Sequence, residues 1–206
     1  MTSTGLHLIR SNALNHAPRR FLNAYDGNWH VQITQGESHV TDNPKEVLTT
    51  ILGSCIAACV RDPVAGVGGM NHFLLPESDS GDSTDLRYGV NAMEILINGL
   101  LKLGADRRRL EAKLFGGANV LSGLSDVGHR NAAFAEQFLK DEGIRYVGGD
   151  IRGDHPRRIQ FWPVTGRARQ LAMPTTQDPA MLVQSELSLA RAGRGERKVD
   201  HDVELF

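Results

Sequence analysis

Short runs of strand-forming residues, separated by turn signals, occupy the chain from Trp29 to Pro76, and this pattern most limits the fold that the chain can adopt. The turn signals are the dipeptides Asn43-Pro44 and Asp62-Pro63 and the glycine-rich stretch over residues 66–69. Turns spaced this closely leave no room for a long helix. We therefore expect this part of the chain to be mostly β-strand.

Two helices and further strands are predicted after this region. Hydrophobic residues recur at helical spacing over residues 84–105 and 131–142, and glycines end both segments, at Gly104 and Gly143. Alternating or apolar runs predict strands over residues 110–115, 144–150, 157–164 and 168–173, the last two joined as a hairpin through Thr165 and Gly166. The order strands, helix, strand, helix, strands favours an α+β domain over a regular alternation of parallel units.

The periodic pattern covers residues 29–173, which we take as one domain. Residues 1–28 show no sustained periodicity and are predicted to be a loosely ordered leader that packs only at its end. Residues 174–206 are predicted to hold one possible short helix, over residues 180–191, followed by a charged and flexible tail.

Composition excludes several classes of function. The formal net charge of −1 gives no basic field for nucleic acid or an anionic membrane. No apolar run could span a bilayer and no secretory signal is evident, so we expect a soluble, cytoplasmic protein. The chain has only two cysteines, Cys55 and Cys59, which argues against a disulfide framework or a structural zinc. Neither a metal nor an organic cofactor is expected.

The string LGSCIAACV predicts a buried central strand with a thiol at its start. With a period of two, Cys55, Ala57 and Cys59 share one face, and both faces are apolar. Gly53 and Ser54 make a tight turn before Cys55, which leaves backbone N–H groups near the thiol. Such an arrangement suits the stabilisation of an oxyanion.

A thiol near its ordinary pKa needs a basic partner before it can attack a carboxamide, and His72 is the candidate. It follows the glycine-rich turn, which lets the chain double back toward Cys55. The alternative is that Cys55 is a small core residue and His72, one of eight histidines, is an ordinary core or surface residue. The pattern alone leaves both interpretations open.

Several longer strings resemble one family. They are TTILGSCIAACVRDP, GGMNHFLLP, RYGVNAMEILINGLLKLGA, AKLFGGANVL, DVGHRNAAFAEQFLKDEGI and FWPVTGR, and together they closely resemble the chemoreceptor glutamine deamidase family, CheD, over roughly residues 30–171. The resemblance implies a layered sandwich of β-sheets with flanking helices, a fold shared with bacterial toxin deamidases.

The resemblance also implies a catalytic set. Cys55 is the expected nucleophile, His72 the base and Thr49 the third member, although the adjacent Thr50 leaves open which hydroxyl meets the imidazole. The backbone N–H groups of Ser54 and Cys55 are the expected oxyanion donors. The family's usual Asp-Leu-Gly-Gly string departs here to Asp-Ile-Arg-Gly at residues 150–153, which puts any role of that loop in doubt.

The implied activity is hydrolysis of glutamine side chains on chemoreceptor cytoplasmic domains, which yields glutamate and ammonia through a thioester on cysteine. The alternative is a regulatory partner of a CheC-type chemotaxis phosphatase. Transglutamination, which passes the same thioester to an amine, is a further possibility. The family resemblance suggests a monomer.

Overall fold

The structure, a computed structural model, describes residues 18–75, 83–119, 126–173 and 203–206. Its first sheet, sheet A, is mixed, with β2 and β4 parallel and the other neighbours antiparallel. The strand order is β1 (Arg19–Leu22), β2 (Trp29–Gln32), β4 (Glu46–Leu52), β9 (Arg157–Trp162), β10 (Arg167–Ala172) and β11 (Val203–Leu205).

The second sheet, sheet B, packs against sheet A. Its central strand β5 pairs with antiparallel neighbours on both sides, and only β7 and β8 run parallel. The strand order is β3 (Ser38–Thr41), β6 (Val67–Asn71), β5 (Ile56–Asp62), β7 (Glu111–Gly116) and β8 (Arg145–Ile151).

Two helices, α1 (Ser83–Lys102) and α2 (Val127–Asp141), cover the face of sheet B that points away from sheet A. Met93, Ile97 and Leu100 of α1 are completely buried against the sheet. No helix in the described part of the chain has the length and hydropathy to cross a bilayer.

Strand β5 explains how one segment serves two hydrophobic cores. Ile56, Ala58 and Val60 belong to the core between sheet B and the helices. Ala57 and Cys59 belong to the core between the two sheets, and Cys55 packs against it. The prediction of a central strand with two apolar faces is confirmed, and Cys55 lies on the face that meets sheet A.

The architecture confirms the α+β prediction and the order of elements. Helix α2 begins at Val127, earlier than the predicted start at residue 131. The hydrophobic spacing could not reveal this first turn because it carries only one large apolar residue.

Two strands outside the predicted domain, β1 and β11, take part in sheet A. β1 lies within the predicted leader and pairs with β2. The tail prediction was wrong for residues 203–205, which form β11 along β10, and the Phe206 N–H donates to the Ala168 carbonyl at 3.0 Å. Composition could not reveal β11 because its partner is the free edge of a distant strand. The possible helix over residues 180–191 lies outside the described residues.

Candidate active site

Cys55 lies in the turn between β4 and β5, and backbone hydrogen bonds fix this turn from one side. The Gly117 N–H donates to the Cys55 carbonyl at 2.7 Å, and the Ala118 N–H donates to the Gly53 carbonyl at 2.8 Å. Gly116 has φ 103°, and a Cβ on it would lie 2.1 Å from the Cys55 carbonyl oxygen. Because Cys55 is the predicted nucleophile, we call residues 53–55 the nucleophile turn. The chain passes so close to this turn at Gly116 that only glycine fits.

His72 follows β6 and lies beside β5. Phe73 exchanges two backbone hydrogen bonds with Ile56, both 2.9 Å long. Continuing this antiparallel register puts His72 opposite Ala57, with Cys55 as its diagonal neighbour on the same face. The glycine-rich turn thus brings the predicted cysteine and histidine together on the face of sheet B that meets sheet A.

The hydrogen bonds of the imidazole decide which of its nitrogens carries the proton. The Thr50 hydroxyl donates its single proton to the Ile33 carbonyl at 2.7 Å and lies 2.9 Å from His72 Nδ1. With that proton committed, Thr50 Oγ1 can only accept, so His72 Nδ1 carries a hydrogen. Nε2 of the neutral ring then holds a free lone pair.

Thr50, and not Thr49, makes the contact with His72. Successive residues of a strand face opposite sides, and Thr50 shares the inner face of β4 with Leu48 and Leu52. Thr49 faces away from sheet B. The hydroxyl that meets the imidazole is therefore that of Thr50, and a part for Thr49 in the site stays a prediction.

Burial shapes the protonation of both candidate groups. It lowers the pKa of His72 to about 4, although a hydrogen bond to Ile33 and the charge of Glu37 oppose the shift. It raises the pKa of the Cys55 thiol to about 11, and a hydrogen bond from the residue's own backbone opposes this. At neutral pH the pair is therefore an uncharged thiol and an uncharged imidazole. His72 Nε2 is buried and has no hydrogen-bond partner among the described residues.

The carbonyls of the nucleophile turn are all engaged on one side. Those of Gly53 and Cys55 accept from backbone amides, and that of Ser54 accepts from the Asn131 side chain at 2.8 Å. No backbone carbonyl of the described residues accepts from the Ser54 or Cys55 N–H. The Ser54 and Cys55 amides stay the predicted oxyanion donors, and the Cys55 N–H also interacts with its own thiol.

Asn131 was missed by the sequence analysis. It is completely buried on α2, its Nδ2 donates to the Ser54 carbonyl, and its Oδ1 accepts from the Leu75 N–H at 2.9 Å. The side chain therefore ties the nucleophile turn to the segment that carries His72. A buried polar residue in the string GHRNAAF, on an otherwise apolar helix face, was the one available signal.

The loop at residues 150–153 shows what its departure from the family string entails. Arg152 has φ 73°, a conformation that favours the glycine found there in the family string. Its guanidinium pairs with Glu136 of α2 at 2.6 Å, and its N–H donates to the Gly116 carbonyl at 2.7 Å. The ion pair gives the arginine a fixed place beside the glycines that support the nucleophile turn.

Comparison with known proteins relates the chain to one family. A family model described as CheD chemotactic sensory transduction matches residues 74–171. A relative from Caulobacter vibrioides (strain NA1000 / CB15N) is 61% identical over 151 residues, which cover 72% of this chain and 81% of the relative. A relative from Rhizobium leguminosarum bv. trifolii (strain WSM2304) is 56% identical over 183 residues, which cover 85% of this chain and 95% of the relative. Both are named "Probable chemoreceptor glutamine deamidase CheD".

Similar solved structures are more distant. A Neisseria meningitidis protein of family model DUF152 covers 60% of this chain and 64% of its own, with 15% identity and a TM-score of 0.40. The Bacillus licheniformis hypothetical protein YfiH covers 55% of this chain and 50% of its own, with 13% identity and a TM-score of 0.39. The family assignment therefore rests on the sequence relatives.

Proposed function

The chain belongs to the CheD family, and from this premise we propose that it deamidates glutamine side chains of chemoreceptors with Cys55 as nucleophile and His72 as base. The observation that carries the proposal is the buried Nε2 of His72, which has no partner among the described residues and lies on the same face of sheet B as the thiol. A neutral imidazole with a free lone pair can take the thiol proton as the sulfur attacks.

The reaction begins with a neutral pair rather than an ion pair. The Cys55 proton moves to His72 Nε2 while Sγ adds to the carboxamide carbon, so proton transfer and attack are coupled. The Ser54 and Cys55 amides then donate to the developing oxyanion, a contribution often worth about 3 kcal/mol per donor. Thr50 accepts from Nδ1–H throughout, which keeps the ring oriented as it becomes an imidazolium.

Collapse of the tetrahedral adduct breaks the carbon–nitrogen bond. His72 returns its proton to the leaving nitrogen, ammonia departs, and a thioester remains on Cys55. Water then adds to the thioester carbon while His72 accepts its proton. The second collapse releases glutamate and restores the thiol. The steps use these side chains, the backbone amides and one water molecule.

The proposed substrates are glutamines on the cytoplasmic domains of chemoreceptors, and the proposed site of action is the cytoplasm. The names of the two relatives, both chemoreceptor glutamine deamidases, support this substrate class. A phosphatase of CheC type is the second partner that the family resemblance implies. Light scattering coupled to size-exclusion chromatography tests both this association and the expected monomeric state.

Mass spectrometry of a co-expressed chemoreceptor cytoplasmic domain tests the activity. Wild-type protein is expected to add about 1 Da at specific glutamines, and Cys55→Ala and His72→Ala are expected to lose this activity by about 10⁴-fold or more. Folding of each variant is checked by thermal unfolding. A folded Cys55→Ala protein that still modifies the receptor would refute the role of the thiol.

Ammonia release without added amine separates deamidation from transglutamination.

A further inference from the structure

Gln35 brings a carboxamide of the protein itself next to the nucleophile. Its Oε1 lies 3.8 Å from Cys55 Sγ, within the range of a weak hydrogen bond from a thiol. The carboxamide is the functional group on which a glutamine deamidase acts. The thiol thus faces a side chain of the substrate type within its own chain.

The backbone around Gln35 is anchored to the active site. The Gly36 N–H donates to the His72 carbonyl at 2.7 Å, so the residue after Gln35 is bonded to the base's own backbone. On the other side, the Thr34 N–H donates to the Glu37 carboxylate at 2.7 Å, and the Glu37 N–H donates to the Thr34 carbonyl at 3.0 Å. The turn therefore holds Gln35 in place while its exposed side chain can still rotate.

Rotation of the Gln35 side chain can turn its carboxamide carbon toward the thiol. The carbon that the thiol would attack is bonded directly to Oε1, and the last torsion of a glutamine side chain has a broad energy minimum. Because the thiol and the carboxamide belong to one chain, the reaction is intramolecular, and groups held in good orientation can gain effective concentrations of about 10⁵ M or more.

We propose that Cys55 deamidates Gln35 of the same molecule once and converts it to glutamate, an inference that rests on the proposed function. Sγ adds to Cδ of Gln35 as its proton passes to His72 Nε2. The Cδ–N bond then breaks, the nitrogen leaves as ammonia with that proton, and a thioester joins Cys55 to residue 35. Water adds to Cδ, its proton passes to His72, and cleavage of the Sγ–Cδ bond restores the thiol and leaves a γ-carboxylate.

The reaction stops after one turnover in each molecule because a carboxylate is not a substrate for thiol attack. The product also changes the charge of the site. A carboxylate at residue 35 would lie next to the thiol, where a neutral carboxamide stood before. The self-modified enzyme therefore carries one more negative charge at the mouth of its active site than its gene encodes.

Peptide mass spectrometry of the purified full-length protein tests this proposal. Trypsin releases residues 21–45 as one peptide, which contains both Gln35 and Gln32. Gln32 is a matched internal control, since it is buried in β2 and its side chain faces away from sheet B. In wild-type protein we expect a gain of about 1 Da, which fragment ions locate at residue 35, and no change at Gln32. In Cys55→Ala we expect both glutamines to be unchanged. A species about 17 Da lighter that links Cys55 to residue 35 would be the thioester and would support the same step.

Two further experiments distinguish failure of this proposal from failure of the proposed function. Receptor deamidation is measured with the same preparation. If the enzyme modifies the receptor but retains Gln35, the self-modification proposal is overturned and the proposed function stands. If neither the receptor nor Gln35 is modified, the result counts against both proposals. Isotope-labelled Cys55→Ala protein is also mixed with unlabelled wild-type. Conversion of the labelled Gln35 would show attack between molecules and would overturn the intramolecular route.

Discussion

A single hydroxyl determines the proton positions around His72. Thr50 donates to the Ile33 carbonyl and therefore must accept from Nδ1, which leaves Nε2 with the free lone pair that the proposed base needs. The residue that selects the tautomer is a neutral threonine, so it adds no charge that would raise the pKa of the imidazole. Activation of the thiol then depends on geometry more than on ion pairing.

Replacing Thr50 is expected to impair catalysis without removing either reacting group. Thr50→Val should lower kcat/KM for receptor deamidation by about 10²-fold because Nδ1 loses its acceptor and the tautomer is no longer fixed. Thr50→Ser keeps the hydroxyl and should retain most activity. Thr49→Val is the matched comparison, and a larger loss in Thr49→Val than in Thr50→Val would contradict the assignment.

The pH dependence follows from the two shifted pKa values. His72 has a lowered pKa of about 4, so it is neutral and competent above that pH, and kcat/KM should fall only as the pH drops toward 4. The thiol has a raised pKa of about 11. Its alkylation by iodoacetamide should therefore rise about tenfold per pH unit between about pH 7 and about pH 10. A plateau in the alkylation rate at neutral pH would indicate a resting ion pair instead.

Sequence patterns could predict Cys55 and His72 but not the choice between Thr49 and Thr50. The glycine-rich turn implied a hairpin, and the LGSC string fixed the thiol at the start of a strand. In β4, however, both faces are apolar: one carries Val47 and Ile51, the other Leu48 and Leu52. Neither face is marked as the inner one, so only the packing of the two sheets identifies the contacting hydroxyl.

At the level of elements, the nucleophile turn depends on segments distant in sequence. Its three carbonyls accept from Gly117 and Ala118, which follow β7, and from Asn131 on α2. These partners could not be inferred from spacing, because hydrogen bonds between segments tens of residues apart leave no periodic signal.

Gly116 is expected to be intolerant of any side chain. In Gly116→Ala the Cβ would collide with the Cys55 carbonyl, and the positive φ adds strain. We therefore expect the free energy of unfolding to fall by about 3 kcal/mol or more and little activity to remain. Gly104→Ala is the control, since it has φ 93° but open space around the Cβ. The free energy of unfolding of Gly104→Ala should fall by about 1 kcal/mol, and this variant should keep full activity. Urea denaturation and the receptor assay measure both; equal effects would contradict the steric argument.

Asn131→Ala is expected to loosen the nucleophile turn. Two buried backbone groups, the Leu75 N–H and the Ser54 carbonyl, would lose their partner, at a cost of about 3 kcal/mol in the free energy of unfolding. A fall in kcat should accompany this, because the oxyanion amides belong to the same turn. His129→Ala, at a half-exposed position of the same helix, should change neither quantity by much. Full activity in Asn131→Ala would contradict the positioning role.

At the scale of the whole molecule, the site is assembled across the interface between the two sheets. Cys55 and His72 lie on sheet B, whereas Thr50 and the Ile33 carbonyl lie on and beside the strands of sheet A. The layered sandwich was expected from the family resemblance, and composition and periodicity by themselves supported only the α+β class. Which strands pair, and hence which sheet each contributes to, depends on long-range contacts.

The same interface includes the last residue of the chain. The Phe206 ring packs edge-on against Phe115, with ring centroids 5.6 Å apart, beside the core between the sheets. Phe206→Ala should therefore lower the free energy of unfolding by about 2 kcal/mol, as measured by urea denaturation. Phe206→Leu, which keeps much of the apolar volume, should lose less. Equal stability of wild-type and Phe206→Ala would show that the ring contributes nothing to the core.

Burial of the Cys55 thiol also affects how long the protein survives oxidants. Peroxide oxidises thiolates far faster than thiols, and the resulting sulfenic acid can proceed to irreversible acids. A thiol with a pKa of about 11 remains protonated at neutral pH and presents little thiolate to peroxide. Desolvation of Cys55 thus disfavours the thiolate and slows its oxidation, and under the proposed mechanism the sulfur becomes nucleophilic only as His72 takes its proton.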